Sequence, residues 1–337
     1  MKHRFNYEWT LKDAKFTKDK GTVFSCFACG GGSTMGYKLA GFDVLGCNEI
    51  DPKMIEAYRT NHNPKYSYLE PIQTFKERKD LPKELYNLDI LDGSPPCSSF
   101  SMAGNREKDW GKDKKFREGQ AKQTLDTLFF DFIDLAKELQ PKVVVAENVK
   151  GLLLGEAKKY VREIYKQFDD AGYYCQHWLL NASKMGVPQR RERVFFVCLR
   201  KDLAQQFLYQ KDLFTSAPKL KLNFNEKEIT FKDIEEIDDN RKPLSDSLNK
   251  RWEKADHFGM YDERANGGIK FGFFQQLKKW RVAATIKSGG CYSIEETPHE
   301  INKTEFCKIG SYPKDYNFIS NKPQYLIGMS VPPVMTA

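Results

Sequence analysis

The sequence predicts an α/β fold with a mainly parallel sheet in a large domain, accompanied by a smaller second module. Apolar runs and amphipathic stretches alternate through the first 200 residues, and strands that alternate with helices are typical of a layered α/β fold. The alternation stops after Arg200, where the chain becomes more polar. These two observations place one large domain before the smaller module.

Short apolar runs predict the strands, and longer stretches with apolar residues at helical spacing predict the helices. The predicted strands cover 22–27, 43–49, 88–94, 142–149 and 193–200. One helix is predicted from Ser33 to near Gly41, and another over 124–140.

The smaller module is predicted from composition. Residues 201–280 are rich in Lys, Asp, Asn and Gln and show no sustained strand–helix alternation, whereas the tail ends in the patterned sequence YLIGMSVPPVMTA. We expect a first domain over 1–200, a second region over 201–305, and a segment over 306–337 that returns to the first domain.

The charge of the chain favours a polyanionic partner. The 337 residues include 54 Lys and Arg against 46 Asp and Glu, a formal net charge of +8. A basic excess of this size is typical of a protein that binds nucleic acid. It is about equally compatible with a basic enzyme that binds no nucleic acid. An apolar leader is not evident, and apolar runs stay short of the roughly 18 residues that a membrane helix needs. We therefore expect a cytoplasmic protein with no membrane partner, whose eight cysteines are reduced.

A glycine-rich turn follows the first predicted strand. It covers 27–33, and Glu49 closes the next strand about twenty residues later. Glycines allow a tight turn, and the helix that follows presents free N–H groups to a ligand. This spacing favours a nucleoside cofactor over a purely structural turn. Cys26 and Cys29 form a C-x-x-C pair without a second pair at zinc-ligand spacing, so we expect no metal.

A second turn places a cysteine at the end of a strand. Pro95 and Pro96 stiffen the chain directly before Cys97, and open α/β sheets bind ligands at the carboxyl ends of their strands. A lone cysteine is ordinarily a small buried hydrophobe. The rigid turn favours a nucleophile here, since a thiolate is the reactive form.

Acidic and basic side chains lie at two further strand ends. Glu147 ends an apolar run, where a carboxyl group suits proton donation; a salt-bridged Glu is the alternative. Arg191 and Arg193 share one face if a strand opens there, and two guanidinium groups can hold a base oxygen, a phosphate or a carboxylate. A solvated cluster of charges is the alternative for the arginines.

Taken in order, these motifs resemble the bacterial and phage DNA (cytosine-5)-methyltransferase family. The resemblance depends on the motifs FACGGGSTMGYKLAGF, PPCSSFS, ENV, QRRER and IGMSVPP. It spans roughly 21–200 and 281–337. It implies a Rossmann-like S-adenosylmethionine methyltransferase sheet, with a target-recognition region over 201–305. The catalytic residues would be Cys97, Glu147, Arg191 and Arg193. The cofactor residues would be Phe27, Ala28, Gly30, Gly31, Gly32, Glu49, Ile50, Glu70, Ser94, Pro96, Ser330 and Val331. The DNA contacts would be Ser98, Ser99, Ser101, Arg106, Lys112, Lys114, Asn148 and Gln189.

The resemblance also implies a reaction. Cys97 would attack C6 of a cytosine flipped out of duplex DNA, Glu147 would donate to N3, and C5 would take the methyl group of S-adenosylmethionine. A base would then remove the C5 proton. A companion restriction endonuclease and a monomeric state belong to the same expectation. Three alternatives stay open: the same chemistry on RNA, a DNA-binding protein without catalysis, and a nicotinamide oxidoreductase that shares only the glycine-rich turn.

The recognition region offers several side chains for reading base edges. They are Arg241, Lys250, Arg251, Arg264, Lys270, Gln275, Gln276 and Arg281.

Overall fold

The computed structural model describes most of the chain: residues 5–96, 113–114, 123–124, 127–155, 157–210, 216–218, 220–236, 241–261 and 273–337. Its strands are β1 (Thr22–Cys26), β2 (Asp43–Glu49), β3 (Tyr66–Leu69), β4 (Ile90–Gly93), β5 (Asp113–Lys114), β6 (Gln123–Thr124), β7 (Val143–Val149), β8 (Tyr173–Asn181), β9 (Glu192–Arg200), β10 (Leu208–Gln210), β11 (Ser216–Pro218), β12 (Phe274–Leu277) and β13 (Cys291–Ile294). Its α-helices are α1 (Gly32–Leu39), α2 (Pro52–His62), α3 (Ile72–Phe75), α4 (Leu128–Leu139), α5 (Ala157–Asp170), α6 (Asp246–Glu253), α7 (Lys303–Ile309), α8 (Pro323–Met329) and α9 (Pro333–Thr336).

A seven-stranded sheet in the order β3-β2-β1-β4-β7-β9-β8 forms the centre of the fold. The strands from β3 to β7 pair in parallel, whereas β9 runs antiparallel to β7. The prediction of an α/β fold with a mainly parallel sheet is confirmed. The five predicted strands are β1, β2, β4, β7 and β9, and the two predicted helices are α1 and α4.

The sheet owes its stability to an apolar face covered by α4 and α5. Leu91, Val144 and Phe196 lie in one buried cluster with side chains of the two helices, among them Phe132 and Phe168. Burying one large apolar side chain contributes about 1.5–3 kcal/mol, so a cluster of this size anchors both helices. Among the residues that the structure describes, no helix combines the length and apolar character needed to cross a bilayer.

The chain divides into two compact units. The sheet unit comprises the described residues of Phe16–Leu180 and Glu192–Phe224, and the second unit those of Met1–Lys15, Asn181–Arg191 and Asn225–Ala337.

This division differs from the predicted boundaries at 200 and 305. The Lys201 amide donates to the Gly172 carbonyl at 2.9 Å, which ties the chain after β9 to the sheet unit. The Leu11 amide donates to Asp315 Oδ1 at 2.7 Å, which ties the N-terminal segment to the second unit. Composition reports local polarity and cannot report which distant segment a stretch of chain contacts. The target-recognition role of 201–305 stays a prediction.

The second unit is built around a parallel pair of strands, β12 and β13, and the helices α6 to α9. Glu305 is fully buried at the start of α7. Its carboxylate accepts from the Asn302 amide at 2.9 Å in a capping box and forms an ion pair with Arg241. One carboxylate therefore joins the helix start to the segment before α6.

Replacement of Glu305 tests this junction. We expect Glu305→Ala to lower the free energy of unfolding by about 3–5 kcal/mol, since it removes a fully buried carboxylate that both pairs with Arg241 and caps α7. Glu300→Ala is the matched control, because Glu300 pairs at 3.3 Å with the exposed Lys242, and it should cost less than about 1 kcal/mol. Urea titration measures both, and equal losses in the two variants would contradict the assignment.

Candidate functional site

The glycine-rich turn after β1 depends on left-handed backbone conformations. Phe27, Cys29 and Gly31 have φ values of 52°, 49° and 84°, and α1 begins at the next residue, Gly32. A β-carbon at Gly31 would overlap the imidazole of His62. The chain therefore needs glycine at this position both for its backbone conformation and for its close approach to α2.

Burial lowers the pKa of His62, whose imidazole lies against this turn. Its Nε2 lies 3.4 Å from the Gly30 carbonyl oxygen, and its ring centroid lies 4.7 Å from that of Tyr58. Burial, together with the nearby Lys38 charge, lowers the pKa of His62 to about 3. The imidazole is therefore neutral at physiological pH.

Glu49 joins the turn to the start of α2. Its carboxylate accepts from the Cys29 amide at 2.7 Å, from the Ile50 amide at 2.8 Å and from the Asp51 amide at 2.9 Å. Burial raises the pKa of Glu49, and these three backbone bonds oppose the rise. A carboxylate offers about four acceptor positions, so one remains beyond the three that the backbone fills.

Glu70 lies close to Glu49 through the backbone. The Glu70 amide donates to the Glu49 carbonyl at 3.2 Å, and the Glu70 carbonyl accepts from Asn48 Nδ2 at 2.9 Å. The Glu70 carboxylate pairs with Arg78 at 3.0 Å. Its predicted place among the cofactor residues stays a prediction.

The turn that leads to Cys97 is held by Asn148. Asn148 Nδ2 donates to the Pro95 carbonyl at 3.1 Å, and its Oδ1 accepts from the Val149 amide at 2.8 Å. Asn148 is buried, and its side chain holds these backbone groups. Its predicted contact with DNA stays a prediction. Ser94 and Pro96, on either side of Pro95 in the chain, are partly buried, and their predicted places in the cofactor site stay predictions.

Several predictions fall in the segment after this turn. Cys97, Ser98, Ser99, Ser101, Arg106 and Lys112 lie outside the described residues, and Lys114 is described only as part of β5.

Glu147 and Arg193 form an ion pair at the carboxyl end of β7. Arg193 Nε lies 2.8 Å from Glu147 Oε1, and the two side chains are only 16% and 12% exposed. Burial lowers the pKa of Arg193, and the neighbouring Glu147 carboxylate opposes this effect. Arginine stays protonated in proteins, so a fixed cation lies against one oxygen of Glu147.

Arg191 and Gln189 are buried within the second unit. Arg191 donates to the carbonyls of Ile286 at 3.1 Å and Gly328 at 3.0 Å. Gln189 donates to the Ile309 carbonyl at 3.3 Å and accepts from the Ile286 amide at 3.0 Å. Both side chains hold backbone groups, which differs from the expected outward contacts with a base or with DNA. Those contacts stay predictions.

Ser330 and Val331 follow α8 and are also buried in the second unit. Ser330 Oγ donates to the Leu326 carbonyl at 2.8 Å. Their predicted place beside a cofactor stays a prediction.

Burial separates the candidate base readers into two groups. Gln275 and Gln276 are buried, and the Arg241 guanidinium pairs with the buried Glu305, so these three side chains are turned inward. Lys250 and Arg281 are exposed and remain candidates, as does the partly exposed Arg251. Arg264 and Lys270 lie outside the described residues.

One polar residue near the site was missed by sequence reasoning. Asp92 lies in β4 and accepts from Ser25 Oγ at 2.7 Å. The sequence did contain a signal for Asp92, because an acidic residue stands there within an otherwise apolar predicted strand.

Comparison of the chain with known proteins finds a matching family and several relatives. The model of the C-5 cytosine-specific DNA methylase family matches residues 21–337. The Type II methyltransferase M.FnuDI of Fusobacterium nucleatum is 38% identical over 181 residues, which cover 54% of this chain and 47% of that protein. M.NmeDI of Neisseria meningitidis serogroup C is 28% identical over 338 residues, covering 90% and 78%. The chain spans about half the length of M.FnuDI and of M.NgoPII from Neisseria gonorrhoeae, at 47% and 51%.

Solved structures share the fold. A prophage-encoded DNA modification methyltransferase from E. coli superposes with a TM-score of 0.66 at 19% identity, covering 94% of this chain and 96% of that one. DNMT2 of Spodoptera frugiperda superposes with a TM-score of 0.63 at 18% identity, covering 94% and 97%. These similarities support the fold of the described residues that the superpositions cover.

Alanine substitution tests the requirement for glycine in the turn. Gly172 also has a positive φ, at 93°, but a β-carbon there would meet nothing within 4 Å. Gly172→Ala should therefore cost only backbone strain, about 1–2 kcal/mol. Gly31→Ala should cost about 1–3 kcal/mol more, because the buried His62 ring must also move. Thermal unfolding measures both, and equal losses would show that the His62 contact is unimportant.

Proposed function

The chain belongs to the C-5 cytosine-specific DNA methylase family, and from this premise we propose that it methylates C5 of cytosine within a short, specific sequence of duplex DNA. The Glu147–Arg193 ion pair is the observation that carries the proposal. It lies next to Asn148, which holds the turn before Cys97. Cys97 follows Pro96 directly in the chain, so the proposal puts the nucleophile near Glu147 at the carboxyl ends of the strands, where open α/β folds bind their ligands.

The proposed mechanism assigns one task to each side chain. Cys97 attacks C6 of the flipped cytosine as a thiolate, and the negative charge that develops extends to N3. Glu147, in its protonated form, donates a hydrogen bond to N3 and transfers its proton there. Arg193 then stabilises the carboxylate that remains, because its guanidinium already lies 2.8 Å from Glu147 Oε1. Covalent attack divides a difficult substitution into easier steps. Once C5 carries the methyl group, a base removes the C5 proton and the Cys97 thiolate leaves C6.

The glycine-rich turn and Glu49 fit a nucleoside cofactor. The remaining acceptor position of the Glu49 carboxylate suits a ribose hydroxyl, and the start of α1 presents backbone amides. We propose that Phe27, Ala28, Gly30–Gly32 and Ile50 complete this site for S-adenosylmethionine. When bound, this group supplies an electrophilic methyl group.

Duplex DNA is the proposed partner. The net charge of +8 favours a polyanion, and a stacked cytosine must leave the duplex before a nucleophile can reach C6. Names of relatives support two settings. M.FnuDI is named a Type II methyltransferase, and M.Rho11sI of Bacillus phage rho11s an orphan methyltransferase. We propose a monomer that acts in the bacterial cytoplasm, beside a companion restriction endonuclease or alone.

Bisulfite sequencing of DNA from cells that express the chain tests the proposal. Methylated cytosines in one short recurring context are expected, and Cys97→Ser should abolish them while duplex binding is nearly unchanged. Methylation that persists in Cys97→Ser would refute the nucleophile. If neither protein methylates DNA, labelled-methyl transfer to transfer RNA separates an RNA substrate from a chain without catalysis.

Glu147→Gln tests the proton donor. We expect methyl transfer to fall by about 10²–10⁴-fold, the usual effect of losing an acid–base group. Glu192→Gln is the matched control, since Glu192 pairs at 2.9 Å with Lys150 at the surface, and its rate should change less than about twofold. Single-turnover transfer of labelled methyl groups measures both. A loss below tenfold in Glu147→Gln would reduce Glu147 to a structural residue.

A further inference from the structure

His62 is a buried side chain that lies against the glycine-rich turn and has no task in the proposed mechanism. It ends α2, it is 6% exposed, and its Nε2 atom lies 3.4 Å from the Gly30 carbonyl oxygen. Lys38 Nζ of α1 donates to the His62 carbonyl at 3.1 Å, so the backbone of His62 is held as well. The imidazole is therefore fixed between the end of α2 and the turn that precedes α1.

The peptide group between Gly30 and Gly31 is the part of the turn that the imidazole contacts. The Gly31 amide of this peptide donates to the Ala28 carbonyl at 2.8 Å, and the Gly30 carbonyl faces His62 Nε2. Glycines on both sides permit more backbone conformations than other residues do, so one hydrogen bond restricts this peptide less than two. The contact with His62 supplies the second bond.

The position of the ring proton follows from the surroundings of the two nitrogen atoms. Nδ1 is buried and has no hydrogen-bond partner within the described part of the chain. A proton on Nδ1 would leave a buried N–H without an acceptor and would turn the Nε2 lone pair toward the Gly30 carbonyl oxygen. A proton on Nε2 leaves only an unused acceptor at Nδ1. The neutral imidazole therefore donates from Nε2 to Gly30.

A second side chain of α2 supports the same region. Tyr58 lies one helical turn before His62, and the two ring centroids are 4.7 Å apart. The Tyr58 hydroxyl lies 2.9 Å from Thr34 Oγ1, in the first turn of α1. α2 thus contacts both the glycine-rich turn and the start of α1, the two segments that the proposed function assigns to the cofactor.

We propose that His62 is a positioning residue for the cofactor, whose Nε2–H holds the peptide between Gly30 and Gly31 in the orientation that S-adenosylmethionine binds. The inference rests on the proposed function, which assigns Gly30 and Gly31 to the cofactor site. His62 acts through the turn and is assigned no contact with the cofactor or the cytosine. Its loss therefore weakens cofactor binding and leaves the rate at saturating cofactor nearly unchanged.

Calorimetric titration with S-adenosyl-L-homocysteine tests the inference. Met has a length similar to that of His but no donor, so the dissociation constant of His62→Met should rise about 3- to 10-fold, the usual worth of one neutral hydrogen bond. Gln can place an amide N–H near the position of Nε2, so His62→Gln should stay within about twofold of the unmodified chain. A side chain that only filled space would not favour Gln over Met.

His177→Met is the matched control, because it also removes an imidazole that makes a hydrogen bond. His177 lies in the edge strand β8, with its Nδ1 atom 2.7 Å from the Tyr165 hydroxyl. Its substitution should leave the dissociation constant unchanged. In methyl transfer, His62→Met should raise KM for the cofactor in step with the dissociation constant, whereas kcat should change less than about twofold.

A measurement without ligand tests the tautomer. In the full chain labelled with ¹⁵N-histidine, NMR at neutral pH should show His62 protonated at Nε2 and unprotonated at Nδ1. The signals are assigned by their loss in His62→Gln. A proton on Nδ1 would contradict the inference, whether or not the chain methylates DNA.

Failure of the inference and failure of the proposed function give different results. If the unmodified chain does not bind S-adenosyl-L-homocysteine, the cofactor assignment is refuted and the inference with it. If the unmodified chain binds, the inference alone is overturned when His62→Met binds equally well, or when Gln and Met weaken binding to the same extent. Should His62→Met fail to fold, His62→Asn replaces it, since its shorter amide does not reach Gly30, and unchanged binding would again overturn the inference.

Discussion

The antiparallel pairing of β9 with β7 is the constraint on which the site depends. It sets Glu147 opposite Phe195 and Val149 opposite Arg193, so that carboxylate and guanidinium meet diagonally on one face. A slip of one residue would turn Arg193 to the apolar face and leave a buried carboxylate unpaired. The apolar residues Val194 and Phe196 resist such a slip, because they are buried beneath α4 and α5.

Polar side chains among the predicted site residues hold backbone groups more than they face outward. Glu49 accepts from three amides, Asn148 fixes the carbonyl of Pro95, and Arg191 donates to two carbonyls. Each of these side chains is buried, and a buried polar group costs free energy unless it is hydrogen-bonded. The same residues that chemistry singles out in the sequence therefore also fix the shape of the loops.

The sequence predicted the strands correctly where their residues are buried on one face or on both faces of the sheet. The central strands β1, β4 and β7 are apolar runs because neighbours flank them on both edges and layers cover their faces. The edge strands β3 and β8 were missed, since most of their residues are only partly buried and they lack a continuous apolar pattern. The domain boundaries differed for a related reason, because composition does not report contacts between distant segments.

The sequence by itself determined the class of fold, the order of the motifs and the family to which they belong. Those features depend on local periodicity and on the residue types that follow each strand, which are written within short stretches of chain. Only the tertiary structure decided that Arg193 pairs with Glu147, that Arg191 is turned to backbone carbonyls, and that the His62 imidazole lies against the carbonyl of Gly30. The partner of a buried polar group is fixed by register and packing between segments far apart in sequence, and no local pattern encodes that choice.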